Sequence, residues 1–289
     1  MGTVAALGYS DSTGASLVAA LVALVAVLVG MPPQSNSRTT TASSHSVAAA
    51  APAREAEDLH DRDGLLAAWV RASPLPGGVT GRVNAVWPLS WTGNDVEGAI
   101  DNVEAWYAAR GLPPRFKLTD SAFAPTDLPA RLERRGYNCH MPTLIMTAQV
   151  QGAAKPAGVS IHETLPATFD GVIRETSKDD AEYDERLSIA LRAPQPAAFA
   201  TIEQNARTVA IGMCAAAGDL AGIFLMRTAP EARRQGLGRL IFRALMARCA
   251  AWGASVAFLQ VDEHNAPAIA LYESEGFAPL ATYRFWRKP

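Results

Sequence analysis

A short turn with the composition of an anion-binding site lies between an apolar run and an amphipathic helix pattern. It consists of Arg233, Arg234, Gln235, Gly236, Leu237 and Gly238. Glycines let a ligand approach the backbone closely, because they carry no Cβ atom. The first N–H groups of a helix have no partner within it, and the helix dipole adds positive charge there. The turn therefore predicts a phosphate or pyrophosphate site, although so short a pattern is also found in surface turns with solvated arginines.

A second group of candidate residues runs from Asn265 to Phe277. Asn265 is a preferred helix N-cap, and Pro267 falls in the first turn, where a missing N–H costs little. Ala268 would share one helical face with Leu271 and Tyr272, so that the phenol can point toward neighbouring strands. A tyrosine in such a place either takes part in chemistry or packs in the core with its hydroxyl hydrogen-bonded.

The elements that position both groups follow from periodicity. Residues 221–226 form an apolar run with strand character, and helical spacing of apolar residues begins at Leu237 and stops at Gly253. Residues 254–261 have the length of a buried strand. The predicted order is thus strand, glycine turn, helix, buried strand and Asn-capped helix.

This order resembles the GNAT superfamily of acetyl-CoA-dependent N-acetyltransferases, best over residues 221–277 and more loosely over 158–289. The resemblance implies acetyl-CoA as co-substrate, with its pyrophosphate on the turn and its pantetheine arm along the preceding strand. It implies Tyr272 as the general acid that protonates the departing thiolate. The implied cofactor-binding residues are Met226, Thr228, Arg233, Arg234, Gln235, Gly236, Leu237, Gly238 and Asn265.

The resemblance also implies the fold class, α/β (α+β) with a mixed, mainly antiparallel sheet flanked by helices, in two tandem GNAT-like domains. Residues 54–152 repeat the central order of elements but lack the glycine turn, which predicts a degenerate domain without a cofactor site. Residues 153–289 form the predicted catalytic domain. The last segment, 281–287, is expected to be an edge strand.

The first 53 residues are predicted to lie outside the fold. Residues 17–31 form an apolar run that is shorter than a typical membrane-spanning helix, and the next twenty or so are rich in Ser, Thr and Ala. A dispensable extension is the preferred interpretation, ahead of a membrane anchor or an export signal. The enzyme is accordingly expected in the cytoplasm, with an anchored form facing the cytoplasm as the alternative, and any membrane contact is expected through residues 17–31.

Charge and composition restrict the remaining possibilities. The formal net charge is −2 without any block of like charges, which argues against a nucleic-acid partner. Histidines and cysteines lack metal-ligand spacing, so no metal is expected. Residue type alone suggests a general base among Glu203, Asp262, Glu263 and His264, and none is preferred.

The predicted function is transfer of an acetyl group from acetyl-CoA to a primary amine of a small molecule or peptide. The alternative is a non-catalytic acyl-CoA-binding or scaffold module. A dinucleotide-dependent oxidoreductase fits less well, because the glycines are not arranged as G-x-G-x-x-G.

Overall fold

The structure is a computed structural model that describes residues 85–289, apart from residues 89, 90, 92, 121, 153, 192 and 194. The predicted extension 1–53, its apolar run 17–31 and a strand expected at 64–71 lie outside the described residues. Of a second strand expected at 81–89, only Val86 is seen to form a bridge, to Phe116.

Six helices and eight strands follow one another in the described part of the chain. The helices are α1 (Val96–Ala108), α2 (Leu128–Arg134), α3 (Phe169–Glu175), α4 (Asp180–Leu191), α5 (Leu237–Ala251) and α6 (Ala266–Ser274). The strands are β1 (Arg115–Thr119), β2 (Asn138–Gln149), β3 (Ser160–His162), β4 (Ala197–Gln204), β5 (Arg207–Ala217), β6 (Leu220–Thr228), β7 (Val256–Asp262) and β8 (Ala278–Arg287). The strand, helix, strand and helix predicted between residues 221 and 277 are β6, α5, β7 and α6, with boundaries that differ by a few residues.

The strands form one mixed sheet in the order β1-β8-β2-β7-β6-β5-β4-β3. Strands β6 and β7 pair in parallel, because α5 crosses over between them, whereas the other neighbouring strands pair antiparallel. The predicted mixed, mainly antiparallel sheet is confirmed.

Strands from both predicted domains interleave in this sheet. Strand β2 precedes the predicted boundary at 152/153, yet it lies between β7 and β8, which follow it. The division of the chain into domains at that boundary stays a prediction. The expectation that the last segment is an edge strand is wrong, because β8 pairs with β1 on one side and with β2 on the other. The reason is long-range pairing, which local sequence does not encode.

Helices cover both faces of the sheet, as predicted. Helix α5 packs on one face through residues such as Ile241 and Leu245, and α6 adds Tyr272 to the same core. The opposite face is covered by α3 and α4, with Phe169 and Phe199 at ring contact. Helices α1 and α2 enclose a third core around Phe116 of β1. The predicted anion-binding turn and the predicted general acid thus belong to one face of the sheet.

Candidate active site

A cleft opens where β6 and β7 part. Their parallel pairing begins at Leu220 and Val256 and ends at Ile223 and Leu259. The remaining residues of β6 become half-exposed after Ile223, whereas its first four residues are buried. Beyond this point the described residues show no pairing between the two strands. The backbone of residues 224–228 therefore presents a free strand edge to a ligand that enters the cleft.

A β-bulge causes this separation. Leu225 has a positive φ of 50°, and the β5–β6 register shifts between Ile211 and Met213. Gly212 lies at the shift, where an added Cβ would be 2.6 Å from the Sδ of Met226. The side chains of Met226 and of Ile241 on α5 thus occupy the space that a side chain at position 212 would need.

The predicted anion-binding turn follows the bulged strand directly. After a 3-10 turn at Pro230–Ala232, α5 begins at Leu237 with Gly236 as its N-cap. No side chain caps this helix. The backbone N–H groups of residues 234–238 donate to no protein atom within the described ranges. Five consecutive amides around the positive end of a helix dipole are thus left without an acceptor among the described residues, which is the arrangement that binds a phosphate group.

Gly236 keeps the space in front of these amides open. Its φ is +76°, a conformation that side chains with a Cβ rarely adopt, and an added Cβ would meet nothing within 4 Å. Gly238 has a different environment, because an added Cβ would lie 3.9 Å from Leu271 of α6 and 4.0 Å from Oγ1 of Thr228. The first glycine provides access to the turn, and the second lies at ordinary contact distance from α6.

The side chains of the turn point in different directions. Arg233 folds back to donate from Nε to the Thr228 carbonyl at 3.3 Å, whereas Arg234 is exposed and forms no ion pair with any residue the structure describes. Gln235 accepts a hydrogen bond of 3.1 Å from Gln204, which ties the turn to the β4–β5 hairpin. Arg234 is therefore the side chain most available to a bound anion.

Tyr272 lies on α6 with its ring buried and its hydroxyl without a hydrogen-bond partner in the described part of the chain. The residue is 7% exposed and packs on Phe242, with ring centroids 5.4 Å apart. Its hydroxyl has no hydrogen-bond partner among the described residues. Burial raises the pKa of Tyr272 to about 12, and the charge of Arg227 opposes this shift in part. The phenol is therefore protonated at neutral pH and able to donate a proton.

Asn265 is the N-cap of α6, as the sequence predicts. Its Oδ1 accepts from the Ala268 amide at 3.3 Å and caps α6, and Pro267 lies in the first turn. The cap uses the side-chain oxygen and leaves the amide NH₂ unpaired within the described chain. A contact between Asn265 and the cofactor stays a prediction.

The candidate general bases do not converge on one point. Glu203 is exposed on β4, opposite Thr208 of β5. Asp262 ends β7, where its carboxylate accepts from the His264 amide at 2.8 Å and stabilises the turn before α6. Glu263 and His264 are exposed in that turn. Among the described residues, none of the four forms a hydrogen bond to residues 224–228, the free edge of β6.

Sequence reasoning missed a polar pair on the opposite face. Gln260 lies on β7 next to the point of divergence, and its Oε1 accepts a 2.8 Å hydrogen bond from Tyr283 of β8. The pairing joins residues on strands that are not neighbours in the sheet, so the sequence contains no local signal for it. Within residues 85–289 as described, no group of His, Cys, Asp or Glu could hold a metal ion, and no helix is long and apolar enough to cross a membrane.

Comparison with known proteins assigns the family. A family model described as probable histone acetyltransferase Rv0428c, C-terminal, matches residues 42–286. The chain belongs to this acetyltransferase family. It is thereby a member of the GNAT superfamily of N-acetyltransferases and an acyltransferase, as the turn and the order of elements predict.

Individual relatives agree with this family. The uncharacterized N-acetyltransferase YobR of Bacillus subtilis is 26% identical over 225 residues, which cover 72% of this chain and 85% of that protein. The ribosomal protein bS18-alanine N-acetyltransferase of Escherichia coli K12 is 37% identical over 76 residues, 26% of this chain and 51% of that enzyme. A GCN5-related N-acetyltransferase from Sphaerobacter thermophilus has the same fold, with a TM-score of 0.54 at 16% identity over 71% of this chain and 72% of that one.

Proposed function

We propose that this GNAT family member transfers an acetyl group from acetyl-CoA to a primary amine of a small molecule or peptide. The observation that carries the proposal is the row of unpartnered amides at residues 234–238, directly beside the free edge of β6. A ligand that fits both features needs a diphosphate at one point and an extended arm with peptide-like groups next to it. Acetyl-CoA has both.

The residues present fit acetyl-CoA. Its pyrophosphate would accept hydrogen bonds from the amides of Gln235 to Gly238, with Arg233 and Arg234 supplying charge. The pantetheine arm would pair with backbone groups of β6 around Met226 and Thr228, as an added strand pairs with a free sheet edge. We also assign Asn265 to the cofactor side, through the NH₂ group that its capping bond leaves unused.

Tyr272 supplies the proton that the leaving group needs. The nitrogen lone pair of a neutral amine forms a bond to the thioester carbonyl carbon, the C–S bond breaks, and the electron pair leaves on sulfur. Tyr272 then donates its phenolic proton to that sulfur, since its raised pKa keeps it protonated at neutral pH. The amine loses its own proton to solvent or to a base, for which the site offers no single candidate.

The names of the relatives support a polypeptide acceptor. The family description names a histone acetyltransferase, and one relative is named for an alanine of ribosomal protein bS18, so both names refer to amines of polypeptides. The net charge of −2 supports a peptide or small molecule over nucleic acid. Because acetyl-CoA is an intracellular cofactor, we place the reaction in the cytoplasm, with membrane contact only through residues 17–31.

Calorimetry with coenzyme A tests the cofactor, and thiol release from acetyl-CoA across a panel of amines and short peptides tests the reaction. We expect binding of coenzyme A and release that depends on a primary amine. Absence of heat with both acylated and free coenzyme A would contradict the proposal. Binding without turnover on any amine would favour a non-catalytic acyl-CoA-binding module.

Replacing Tyr272 by Phe should lower kcat at least tenfold and leave the Kd for coenzyme A unchanged, since general-acid help is worth about 10²–10⁴-fold. Tyr137→Phe is the matched control, because it removes the same hydroxyl from a buried ring bonded to Glu104 in the other half of the sheet. Unchanged turnover in Tyr272→Phe would remove Tyr272 from the mechanism.

A further inference from the structure

A polar side chain borders the gap between β6 and β7 on the face opposite α5. Gln260 follows Leu259, the last residue of β7 that pairs with β6. Successive side chains of a strand point to opposite faces, so Gln260 shares the face of Phe258, which belongs to the core under α3 and α4. Gln260 is half-buried, whereas its neighbours on either side in β7 are buried. Its exposure thus begins where pairing with β6 ends.

One end of the Gln260 amide is already bonded. Its Oε1 accepts the 2.8 Å hydrogen bond from the hydroxyl of Tyr283 on β8. Tyr283 is fully buried, and a buried hydroxyl needs a partner. The bond orients the amide, because Oε1 faces Tyr283 and the NH₂ group is turned away from it. This NH₂ group can only donate, and it has no acceptor among the residues that the structure describes.

The ring of Tyr283 is itself held in place. Lys117 of β1 has its Nζ 4.1 Å from the centroid of this ring and 3.8 Å from the centroid of the Trp87 ring. Trp87 donates from Nε1 to Oγ1 of Thr119 at 2.9 Å. Cation–π attraction is strongest for a desolvated cation, and Lys117 is only 2% exposed. Tyr283 therefore presents its hydroxyl, and with it the amide of Gln260, in one position.

We propose that Gln260 binds the acceptor by donating from its NH₂ group to an oxygen next to the reacting amine. Tyr283 is the residue that positions Gln260 for this bond. The proposal rests on the proposed acetyl transfer and specifies its substrate class. Because glutamine is uncharged, a carbonyl or hydroxyl oxygen matches it without the desolvation cost of an ion.

The gap between the strands lets such an acceptor meet the cofactor. Residues 224–228 form the free edge along which we place the pantetheine arm, with Tyr272 on the face of α5. Phe224 begins this edge, and its ring lies back over Gly222, where an added Cβ would be 2.3 Å from its Cζ. The ring is thereby directed away from the rest of the edge. The amine is expected to enter the gap from the face of α3 and α4, on which Gln260 lies, and the thioester from the face of α5.

An oxygen next to the amine distinguishes two kinds of acceptor. In the α-amine of an amino acid amide or a peptide, the carbonyl group follows the carbon that bears the nitrogen. One residue of extended chain spans at most about 3.5 Å, so this carbonyl stays near Gln260 while the amine lies in the gap. In a lysine side chain, a flexible four-carbon stem separates the amine from the backbone. We therefore expect α-amines to be better acceptors than alkylamines or ε-amines.

Two acceptors of similar size test the bond: alaninamide, which has the oxygen, and sec-butylamine, which lacks it. Thiol release from acetyl-CoA by the full-length protein gives kcat/KM for each, corrected for the neutral fraction of the amine. The measured quantity is the ratio of the two values, so that effects on the amine itself cancel. The wild type should prefer alaninamide.

Gln260→Glu keeps an oxygen for Tyr283 and replaces the NH₂ donor, and Gln260→Leu removes both without adding charge. Each should lower the ratio at least about tenfold, mainly through KM for alaninamide, as expected when one hydrogen bond to the acceptor is lost. Tyr283→Phe should lower it less, by about threefold, because the amide remains but is no longer oriented. Gln149→Glu, the same change at an exposed glutamine at the other end of β2, should leave the ratio unchanged.

A structural role of Gln260 gives a different result. If it only held Tyr283, Gln260→Leu would lower turnover with both acceptors alike, and Gln260→Glu would retain the wild-type ratio; either outcome would overturn the inference. Should Gln260→Leu prove poorly folded, Gln260→Glu gives the comparison alone. A wild type without preference for alaninamide would overturn it as well. Absence of thiol release with every amine tested would instead contradict the acetyl transfer, and this inference with it.

Discussion

Helices α1 and α5 begin in opposite ways, although each packs on the same sheet. At α1 the carboxylate of Asp95 accepts from the Gly98 amide at 2.9 Å, and an added Cβ at Gly98 would be 2.3 Å from that carboxylate. At α5 the N-cap is Gly236, no side chain closes the turn, and an added Cβ would meet nothing within 4 Å. The protein fills the first N-terminus with its own anion and leaves the second open.

The difference shows how one physical feature serves two purposes. A helix dipole favours negative charge at its N-terminus wherever the helix lies. When the chain supplies that charge, as Asp95 does, the interaction stabilises the fold. When it supplies glycine instead, the same interaction is available to a ligand. The half that lacks the glycine turn is therefore predicted to have no cofactor site, and experiments on the two N-termini can test this contrast.

The largest effect is expected from placing an anion of the chain at the open N-terminus. Gly236→Asp should weaken binding of coenzyme A by at least about a hundredfold, because a carboxylate competes for the amides and repels phosphate. Gly236→Asn is the matched control, since asparagine also tolerates a positive φ but adds no charge. Calorimetry should show a clearly smaller loss for Asn than for Asp. Equal losses would mean that backbone strain, rather than charge, explains the result.

Much of this contrast could be predicted from the sequence. Local signals place Asp95 and Asn265 as caps, and both accept the expected amide hydrogen bonds. Gly111 and Gly253 end helices with positive φ, as residues without a Cβ do readily. The turn at 233–238 was found for the same reason, because a strand, two glycines and an amphipathic helix are all short-range patterns.

Features that depend on pairing between distant strands could not be predicted. The residues near Leu225 contain no local signal for a bulge, because the bulge arises from a register shift against β5. The insertion of β2 between β7 and β8 joins segments more than a hundred residues apart. Local pattern thus predicts the glycine turn, and tertiary pairing creates the cleft beside it.

A smaller effect is expected where the chain caps its own helix. Asp95→Ala should lower the free energy of unfolding by about 1 kcal/mol, the usual value of an N-cap, and leave the affinity for coenzyme A unchanged. Chemical denaturation and calorimetry measure the two quantities. Weakened binding of coenzyme A in this variant would contradict the assignment of the cofactor to α5 alone.

Asn265→Ala provides the comparison at α6, where a cap was also predicted to contact the cofactor. It should cost a similar amount of stability, because it loses the bond to Ala268. If Asn265 also binds the cofactor, affinity for coenzyme A falls as well. Unchanged affinity would leave Asn265 as a cap only.

The smallest effect is expected on the folding stability at low pH. Glu97, in the first turn of α1, accepts 2.8 Å hydrogen bonds from Arg131 and Arg135, which joins α1 to α2. The bond from Arg131 is the main reason that the pKa of Glu97 is lowered. A carboxyl group with a lowered pKa in the folded state contributes stability above its unfolded pKa, and this contribution is lost as pH falls through the folded value. Because the side chain is 45% exposed, the contribution is expected to be small.

Urea unfolding of the wild type and Glu97→Gln across a pH series measures this contribution. The difference in stability should be constant above about pH 5 and should shrink toward pH 3, as the native carboxylate takes up its proton. Glu133→Gln, at an exposed position of α2 without an ion pair in the described chain, is the control for removing a surface carboxylate. A difference that persists unchanged at pH 3 would mean that Glu97 acts through packing or shape. In that case the comparison between the N-termini of α1 and α5 would rest on their caps alone, because Asp95 would be the only charge that stabilises α1.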